Sequence, residues 1–555
     1  MLSVRNRDGR GDGGWAMMTA LFAIVVLTIF ATAAAAMVTQ RIAGSRHEQD
    51  FQGADQAALA GVDDYVARLQ ADPNYFVLGN GDASNSAFTG FEAIPGGAST
   101  GSFKYSVDTS QAYTTGIIKI TSTGRANGVD RTVTAQLRKT DFQDYMYFTK
   151  YETLDPQAYQ SAVALPNGTN CAVHAYSGRS NTCSTITFDS FDVLQGPVHS
   201  QDTMLFNGSP TFNSEFSTEW QDPTKRYWQC LNGASCNPSF SQAPNYSVIP
   251  FPNTNTTLQQ YADPTQGGLG CVFQGPTSIT LNWAGTMTVL SPETPSTFNT
   301  GACGTADWGT SGGVTINVPT GQVVYVESPT GSYNCTTPTG FPYPLSGDTN
   351  TATGPSALKP SCSHGDVYVQ GWLQGRLTIG AANNIYVTGS IRYRGTNTDS
   401  NIGDNVPHSS GTSPYSKDTA GSDVLGLSAN NFVEVLHSLR GCSSRSSTTG
   451  QCSGASNNGS PQTYLQIDAA IVASNDSFLV QDYDSGPALG VLTIDGGIIQ
   501  AFRGPVATSS GGTVATGYAK DYNYDPRLRA LSPPHLADLA SSAWNAVVFG
   551  EGAPQ

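Results

Sequence analysis

Charged residues are scarce in this sequence. Asp, Glu, Lys and Arg make up 12% of the 555 residues, about half of their share in an ordinary soluble domain. Helical bundles and coiled coils need Lys, Glu, Ala and Leu at helical spacing, so the composition excludes both classes. The 27 basic and 42 acidic residues give a formal net charge of −15. This balance argues against a nucleic-acid-binding surface, because phosphate contacts need clustered Lys and Arg.

Turn-forming residues are abundant instead, with 60 Gly and 31 Pro. The chain is nevertheless not of the disordered class, because 38% hydrophobic and 10% aromatic residues can bury a sizeable core. This mixture predicts a mainly β protein with many polar turns in an extracytoplasmic compartment.

Cysteine is absent from the first 170 residues, and all ten cysteines follow. An even number in a β-rich chain predicts disulfide bonds in an oxidising compartment. Their spacing is unlike that of zinc ligands, which favour two to four intervening residues. Neighbours close the shortest loops, so the predicted pairs are Cys171–Cys183, Cys230–Cys236, Cys271–Cys303, Cys335–Cys362 and Cys442–Cys452.

Charge is absent between Trp15 and Gln40, a stretch that would span about 39 Å as a helix and could cross a hydrocarbon core of about 30 Å. Two interpretations are open. The small residues of Ala31–Ala36 would suit a cleaved secretory signal, whereas a retained helix would anchor the protein in the membrane. The cysteines favour a cytoplasmic N-terminus and an extracytoplasmic remainder.

An apolar stripe continues the helical pattern beyond the charge-free segment. Its members recur every three or four residues, and no proline occurs before Pro73. A cleaved signal would not need this continuation, so the sequence favours one retained helix with a transmembrane half (15–40) and an amphipathic half (41–71). The stripe is predicted to pack against a small sheet and against other subunits; it consists of Phe51, Ala54, Ala58, Val62, Tyr65 and Leu69.

The N-terminal segment also resembles a known family. Residues 13–65, GGWAMMTALFAIVVLTIFATAAAAMVTQRIAGSRHEQDFQGADQAALAGVDDY, are similar to the N-terminal domain of PilX-type type IV pilus assembly proteins, and the similarity extends to about residue 70. The resemblance implies a prepilin-like subunit, with cleavage by a prepilin peptidase after Gly14 and Trp15 as the first mature residue. It also implies other pilin-like subunits and the pilus assembly machinery as partners.

Two positions depart from the pattern of major pilins, which have Phe or Met at the first mature position and Glu at the fifth. Here these residues are Trp15 and Thr19. In a pilus the Glu is thought to pair with the terminal amine of the adjoining subunit, which offsets the cost of a carboxylate in lipid. Thr19 cannot form that pair, so we expect a minor subunit at the fibre tip or a priming factor. Alternatively, Trp15 blocks processing and the helix is a signal anchor.

The remaining sequence predicts two β domains. Alternating segments at 103–107, 117–122 and 131–137 predict a small antiparallel sheet, and short strands with Asn and Gly at their corners predict a parallel β-helix. A β-sandwich with long loops is the alternative. The predicted divisions are a cytoplasmic leader (1–14), the two helix halves, a pilin-like subdomain (72–155), a β-solenoid-like domain (156–535) with an insertion around 255–362, and a C-terminal tail (536–555).

Catalytic motifs are lacking: neither His-Glu-x-x-His nor a Walker loop occurs. Carboxylates at Asp482, Asp484 and 521–527, with Arg503, could serve glycoside hydrolysis, although a structural role is favoured for the run 521–527. No metal or other cofactor is predicted. Asp366 and Asp495, each beside a glycine, could ligate Ca²⁺ at a solenoid corner, but each lacks the spaced acidic partners of a calcium loop.

Together with the resemblance to PilX-type proteins, the sequence thus indicates a non-enzymatic, pilin-like minor subunit or assembly factor of a type IV pilus-like fibre. Its large β head would face a surface glycan or a protein ligand in adhesion, outside a membrane crossed once. The alternative is a membrane-anchored or secreted β-helix enzyme that acts on carbohydrate, or a carbohydrate-binding protein.

Overall fold

The computed structural model describes most of the chain. The described ranges are 13–71, 75–95, 101–110, 117–140, 142–158, 169–224, 226–233, 235–252, 254–330, 360–395, 421–442, 444–446, 451–458, 463–510, 513–529, 531–536 and 543–552, together with residues 112, 341, 342, 348 and 358.

Helices and strands alternate with short turns along these ranges. The α-helices are α1 (Gly13–Ala71) and α2 (Thr256–Ala262). Short 3-10 helices lie at Tyr75–Leu78, Ser86–Phe88, Phe142–Asp144, Pro156–Ala158, Ala175–Ser177, Leu231–Gly233, Pro264–Gln266 and Pro526–Arg529. The strands are β1 (Glu92–Ala93), β2 (Ser102–Asp108), β3 (Ile117–Ala126), β4 (Val129–Thr140), β5 (Tyr147–Tyr151), β6 (Phe188–Asp189), β7 (Val193–Gln195), β8 (Val198–Ser200), β9 (Met204–Asn207), β10 (Thr211–Phe212), β11 (Phe216–Thr218), β12 (Trp228–Cys230), β13 (Ser239–Phe240), β14 (Asn245–Tyr246), β15 (Cys271–Gln274), β16 (Thr277–Asn282), β17 (Thr286–Leu290), β18 (Val314–Asn317), β19 (Gln322–Glu327), β20 (Val367–Leu373), β21 (Arg376–Ala381), β22 (Ile385–Tyr393), β23 (Val424–Ala429), β24 (Val433–Val435), β25 (Leu439–Arg440), β26 (Ser456–Asn457), β27 (Tyr464–Ala473), β28 (Phe478–Val480), β29 (Ala488–Phe502), β30 (Ala507–Ser510), β31 (Thr513–Tyr524) and β32 (Ala543–Gly552).

The chain forms two compact units. The first lies within residues 1–110, 118–138 and 544–555, and the second within 111–117 and 139–543. Mainly β architecture with a long N-terminal helix, a small antiparallel sheet and a large β domain confirms the predicted fold class.

The first unit is α1 on a five-stranded sheet with the order β1-β2-β3-β4-β32. β2 and β3 are antiparallel, with Tyr105 opposite Ser122. Asn127 and Gly128 form the turn between β3 and β4, and both have positive φ, as a tight hairpin turn requires. The predicted C-terminal tail is wrong in this respect, because β32 supplies the fifth strand of the sheet.

Glycines allow α1 to lie close to this sheet. A Cβ at position 124 would lie 2.1 Å from the carbonyl oxygen of Ala54 and 2.2 Å from the amide nitrogen of Ala58. A Cβ at position 61 would meet the Ser122 hydroxyl at 2.3 Å. The helix therefore packs backbone to backbone where larger residues would hold it away from the sheet.

Three ladders of parallel strands form most of the second unit, and β6, β9 and β12 form a further parallel sheet of three strands. Val367, Ile385, Val433 and Phe478 are successive partners in one ladder. Because the chain visits the ladders in a repeating order, it winds as a β-solenoid, and the alternative β-sandwich is not observed. The first ladder runs β15, β19, β21, β23, β27, β29, β5, β8, β11, β14; the second runs β16, β20, β22, β24, β28; and the third runs β20, β22, β27, β29, β31, β7, β10, β13.

The order of the ladders differs from the order of the chain. β5 lies between β29 and β8 in the first ladder, and β31 lies between β29 and β7 in the third. The segment from β5 to β14 therefore forms one end of the solenoid. The chain then restarts at the other end with β15 and winds back to β31. We call the meeting place of β5–β8 with β29–β31 the seam.

Asparagines form hydrogen bonds between successive turns at one corner of the solenoid. The Nδ2 of Asn431 donates to the Oδ1 of Asn383 at 2.7 Å, and the backbone N–H of Phe432 donates to the Oδ1 of Asn384 at 3.0 Å. The sequence Ala-Asn-Asn occurs at both 382–384 and 429–431. Its side chains thus provide hydrogen-bond partners for backbone groups at this corner, as buried polar groups require.

Two predicted boundaries of the solenoid are wrong. Residues 142–155 belong with the β-solenoid unit instead of the pilin-like subdomain, because β5 pairs with β29 and β8. The described part of the region 255–362 belongs to the solenoid and is not only an insertion. Its strands β15, β16 and β19 form the first turns of the ladders, while the β17–β18 hairpin extends β16. The strands of this region are difficult to recognise in the sequence, because Thr alternates with the apolar residues that face inward.

Candidate functional site

The N-terminal part of α1 exposes an unbroken apolar surface. Residues Trp15–Val38 have a mean hydropathy of 2.6 and no part of the segment is buried. Trp15, Phe22 and Leu27 are each exposed by two thirds or more. Such a helix is long and apolar enough to cross a membrane once, which makes the chain consistent with a single-pass membrane anchor.

Thr19 is satisfied within its own helix. Its hydroxyl donates to the carbonyl oxygens of Trp15 at 2.9 Å and Ala16 at 3.0 Å. Gly14 lies in the first turn of α1, and residues 1–12 are outside the described residues. Thr19 therefore adds neither a charge nor an unmet hydrogen bond to the apolar segment, in contrast to a carboxylate at this position.

The apolar stripe of α1 packs against other residues of the same chain. Ala54, Ala58, Tyr65 and Leu69 are fully buried. The Tyr65 ring packs against Tyr75, Phe88 and Tyr105, with centroid distances of 5.5–6.3 Å. Val62 is 1% exposed, and Arg131 lies 3.9 Å above the ring of Phe51. The prediction that the stripe packs against other subunits needs correction, because its own sheet already covers these side chains.

Four disulfide bonds join neighbouring cysteines, with Cα–Cα distances of 5.5–5.8 Å. These bonds are the predicted pairs Cys171–Cys183, Cys230–Cys236, Cys271–Cys303 and Cys442–Cys452. Cys362 is also disulfide-bonded, whereas Cys335 lies outside the described residues. The bonded cysteines are therefore unavailable as metal ligands.

A cavity of about 370 Å³ opens at the seam. Its volume falls in the usual range of small-molecule sites, about 300–1,000 Å³. Aromatic rings form much of the lining, and those of Tyr147, Phe188 and Tyr522 are buried. Phe191 lies at the cavity with 43% of its surface exposed. The cavity thus combines a buried aromatic interior with an exposed ring.

Two buried polar groups in the lining have hydrogen-bonding capacity to spare. Gln500 is 2% exposed, and its Oε1 accepts from the backbone N–H groups of Phe478 and Gly504, both at 3.0 Å. Its Nε2 donates to none of the described residues. The hydroxyl of Tyr522 likewise has no hydrogen-bond partner among them, and burial raises its pKa. Both side chains line the cavity.

Both basic groups of the cavity lining, Lys520 and Arg503, are paired with a carboxylate. Lys520 Nζ lies 2.9 Å from Asp192 Oδ1, and Arg503 Nη1 lies 3.4 Å from Glu152 Oε2. Arg503 also donates to the carbonyl oxygens of Ile186 and Thr187, at 3.2 and 2.9 Å. Burial raises the pKa of Asp484, which lowers the tendency of this carboxyl to be charged. The lining also contains Asp189, whose Oδ1 accepts from Asn207 Nδ2 at 2.8 Å, so the lining is polar with a small excess of acidic groups.

The residues proposed from the sequence as candidates for glycoside hydrolysis do not all lie together in the structure. Asp484 and Arg503 line the cavity together. Asp482 instead pairs with Arg445, and Asp525 with Arg527 at 2.8 Å. The roles of Gln500, Tyr522 and Phe191 were missed in the sequence, since β29, β31 and the turn after β6 meet only in the folded chain.

Asp521, in the run 521–527, accepts a hydrogen bond from Thr493 at 3.1 Å.

The two candidate Ca²⁺ ligands, Asp366 and Asp495, do not lie in a group of side chains that could bind a metal. Asp366 Oδ1 accepts from Asn383 Nδ2 at 2.6 Å, and Asp495 Oδ2 accepts from Gln466 Nε2 at 3.4 Å. Within the described ranges no group of three or more His, Cys, Asp or Glu side chains could hold a metal ion.

Fold and surface together define a mainly β protein with one N-terminal helix suited to a single membrane crossing. No protein-family model matches the chain, and no curated protein matches it in sequence. Among solved structures it is similar to the competence-associated pilin ComZ from Thermus thermophilus, with a TM-score of 0.31 and 13% identity, over 90% of this chain and 97% of that one. A likeness at this score does not establish a shared fold.

Proposed function

We propose that this chain is a pilin-like minor subunit or assembly factor of a type IV pilus-like fibre, of the PilX type. The observation that carries the proposal is the division of α1. Its N-terminal segment is apolar and exposed over Trp15–Val38, whereas its continuation is buried on the sheet of the first unit. One uninterrupted helix thus joins a membrane-competent segment to a folded domain.

In this role the segment Trp15–Val38 holds the subunit in the membrane, with the N-terminus in the cytoplasm and the β domain outside. The same segment then packs against equivalent helices of other subunits in the fibre. Its exposure supports this assignment, because a helix that leaves the lipid for the fibre can keep these apolar side chains from water only by packing against neighbouring subunits. Within α1 it replaces the covered stripe as the assembly surface.

A position at or near the tip follows from two features. Thr19 brings no carboxylate to pair with the terminal amine of an adjoining subunit, and the second unit is large for a repeating subunit. We infer that the solenoid is displayed for adhesion or surface interaction and is not an enzyme.

Photo-crosslinking in living cells tests the proposal. A photoreactive residue at Ile24, which is 59% exposed, should form crosslinks to other fibre subunits, and the protein should be present in the sheared fibre fraction. The same reporter at Gln70, on the exposed side of the covered half of α1, is the matched control and should give fewer such crosslinks. Absence from sheared fibres together with no subunit crosslink from Ile24 would contradict the proposal.

A further inference from the structure

We propose that the cavity at the seam binds one neutral sugar residue of a glycan. The assignment deepens the proposed display function, on which its biological use rests, but the binding itself concerns only the second unit. Its starting point is a cavity of about 370 Å³. Aromatic rings line it, together with two buried side chains, Gln500 and Tyr522, that each have a hydrogen-bonding group without a partner among the described residues.

The aromatic lining suits the C–H faces of a sugar ring. Phe188 and Tyr522 give the interior apolar walls, while Phe191, also in the lining, is 43% exposed. Phe188 is held in place because Arg503 lies 3.6 Å above its ring centroid. A ligand ring that packs on Phe191 would remove apolar surface from water on both partners, which favours binding.

The polar groups suit hydroxyls. Gln500 keeps its Oε1 on two backbone N–H groups, so the orientation of its amide is fixed and its Nε2 is left as a donor. Tyr522 offers a hydroxyl that can donate or accept. Asp484 adds carboxyl oxygens that can accept from a ligand hydroxyl, with Oδ1 already accepting from Ser485 at 2.8 Å. A ligand that both donates and accepts is required to satisfy this set.

Charge selects against an anionic ligand. Arg503 is held by Glu152 and two backbone carbonyls, and Lys520 by Asp192. A carboxylate or phosphate would have to break one of these pairs, which leaves a buried charge without its partner. The neutral polyhydroxylated class is therefore favoured over uronic acids and phosphates.

Binding by the full-length protein in detergent provides the test. The probes are neutral hexose oligosaccharides (glucan, galactan and mannan oligomers), with oligogalacturonate as the anionic comparison, first on an array and then by titration calorimetry. We expect saturable binding to at least one neutral oligomer. Tyr522→Phe and Gln500→Glu, which keeps the Oε1 acceptor, should each weaken it about tenfold, the effect of losing about 1.4 kcal/mol. Phe191→Ala should weaken it by a similar factor.

Tyr246→Phe is the matched control, because Tyr246 is 55% exposed and lies outside the cavity lining; it should leave binding unchanged. Thermal unfolding of each variant verifies the fold. Failure to bind any neutral oligomer, preference for oligogalacturonate, or undiminished binding by all three cavity variants would overturn the assignment. None of these outcomes bears on entry into a fibre, which is measured separately by crosslinking.

Discussion

At the residue scale, the absence of a side chain at Gly124 sets the distance between α1 and its sheet. Helix and strand backbones meet where a Cβ would lie 2.1 Å from the Ala54 oxygen. The sequence predicted the buried face of the helix from its spacing. It could not predict this partner, because a single glycine in a strand pattern does not say which backbone approaches it.

Gly124→Ala should destabilise the first unit by about 3 kcal/mol, because the added methyl group forces helix and sheet apart. Gly90→Ala is the control, since a Cβ there has open space. Urea unfolding monitored by circular dichroism measures the difference. Equal stability of the two variants would show that the close approach is not maintained in solution.

Asp366 gives the second unit a defined pH dependence. Burial raises the pKa of Asp366 to about 7, whereas an Asp in an unfolded chain titrates near 3.9. The folded state therefore binds more protons between these values. This contribution to stability is fully present below about pH 4 and is lost as the pH rises through about 7.

Asp366→Asn should consequently flatten the fall in the free energy of unfolding between pH 4 and 7, because the amide mimics the neutral carboxyl and can keep its Oδ1 acceptor. Thermal unfolding across this range measures the slope for both proteins. Asp307→Asn, at an exposed position of the same unit, should leave the slope unaltered. A slope that Asp366→Asn does not change would contradict the proposed linkage.

At the element scale, α1 is one helix with two different environments. Each half has a local sequence pattern: the first is an apolar run, and the second has apolar residues at three- and four-residue spacing. Because these patterns are local, the sequence predicted the helix and the five buried members of its stripe. The strands of the solenoid were predictable for the same reason. The assembly role given to the stripe was not, because the pattern marks a buried face without saying what covers it.

Leu27→Arg should prevent stable membrane insertion of α1. Leu27 lies near the middle of Trp15–Val38 and is 67% exposed, and a central Arg costs about 2.5–3.5 kcal/mol in insertion measurements. Alkaline carbonate extraction of membranes reports the inserted fraction. Gln70→Arg adds the same charge beyond the apolar segment and should remain in the membrane pellet. Equal retention of both variants would mean that this segment is not the anchor.

At the scale of the whole molecule, strands that are far apart in the sequence pair within the same sheet. β32 closes the first sheet, and β5 and β31 occupy adjacent places in the solenoid ladders although more than 350 residues separate them. Sequence periodicity is local and carries no record of which strands become neighbours. The tail, the insertion and the cavity at the seam were therefore beyond what the pattern could predict.

Arg503 holds the seam together, so its removal should weaken the whole second unit. Arg503→Met leaves Glu152 buried without its partner, and burial already raises the pKa of Glu152. A loss of about 3–5 kcal/mol in unfolding free energy is expected. Glu152→Gln in the same chain should restore part of it. Arg440→Met, at an exposed position, is the control, and a comparable effect there would contradict a specific role of Arg503.

The mature N-terminus of the protein recovered from cells, determined by mass spectrometry, tests the central claim most directly. Our account predicts a chain that starts at Trp15 after cleavage behind Gly14, with α1 otherwise intact and a methylated terminal amine. A start near Met37 would mean that the apolar segment is removed as a secretory signal, and would contradict the pilin-like function. An intact Met1 would contradict processing at Gly14 and leave a signal-anchored surface protein.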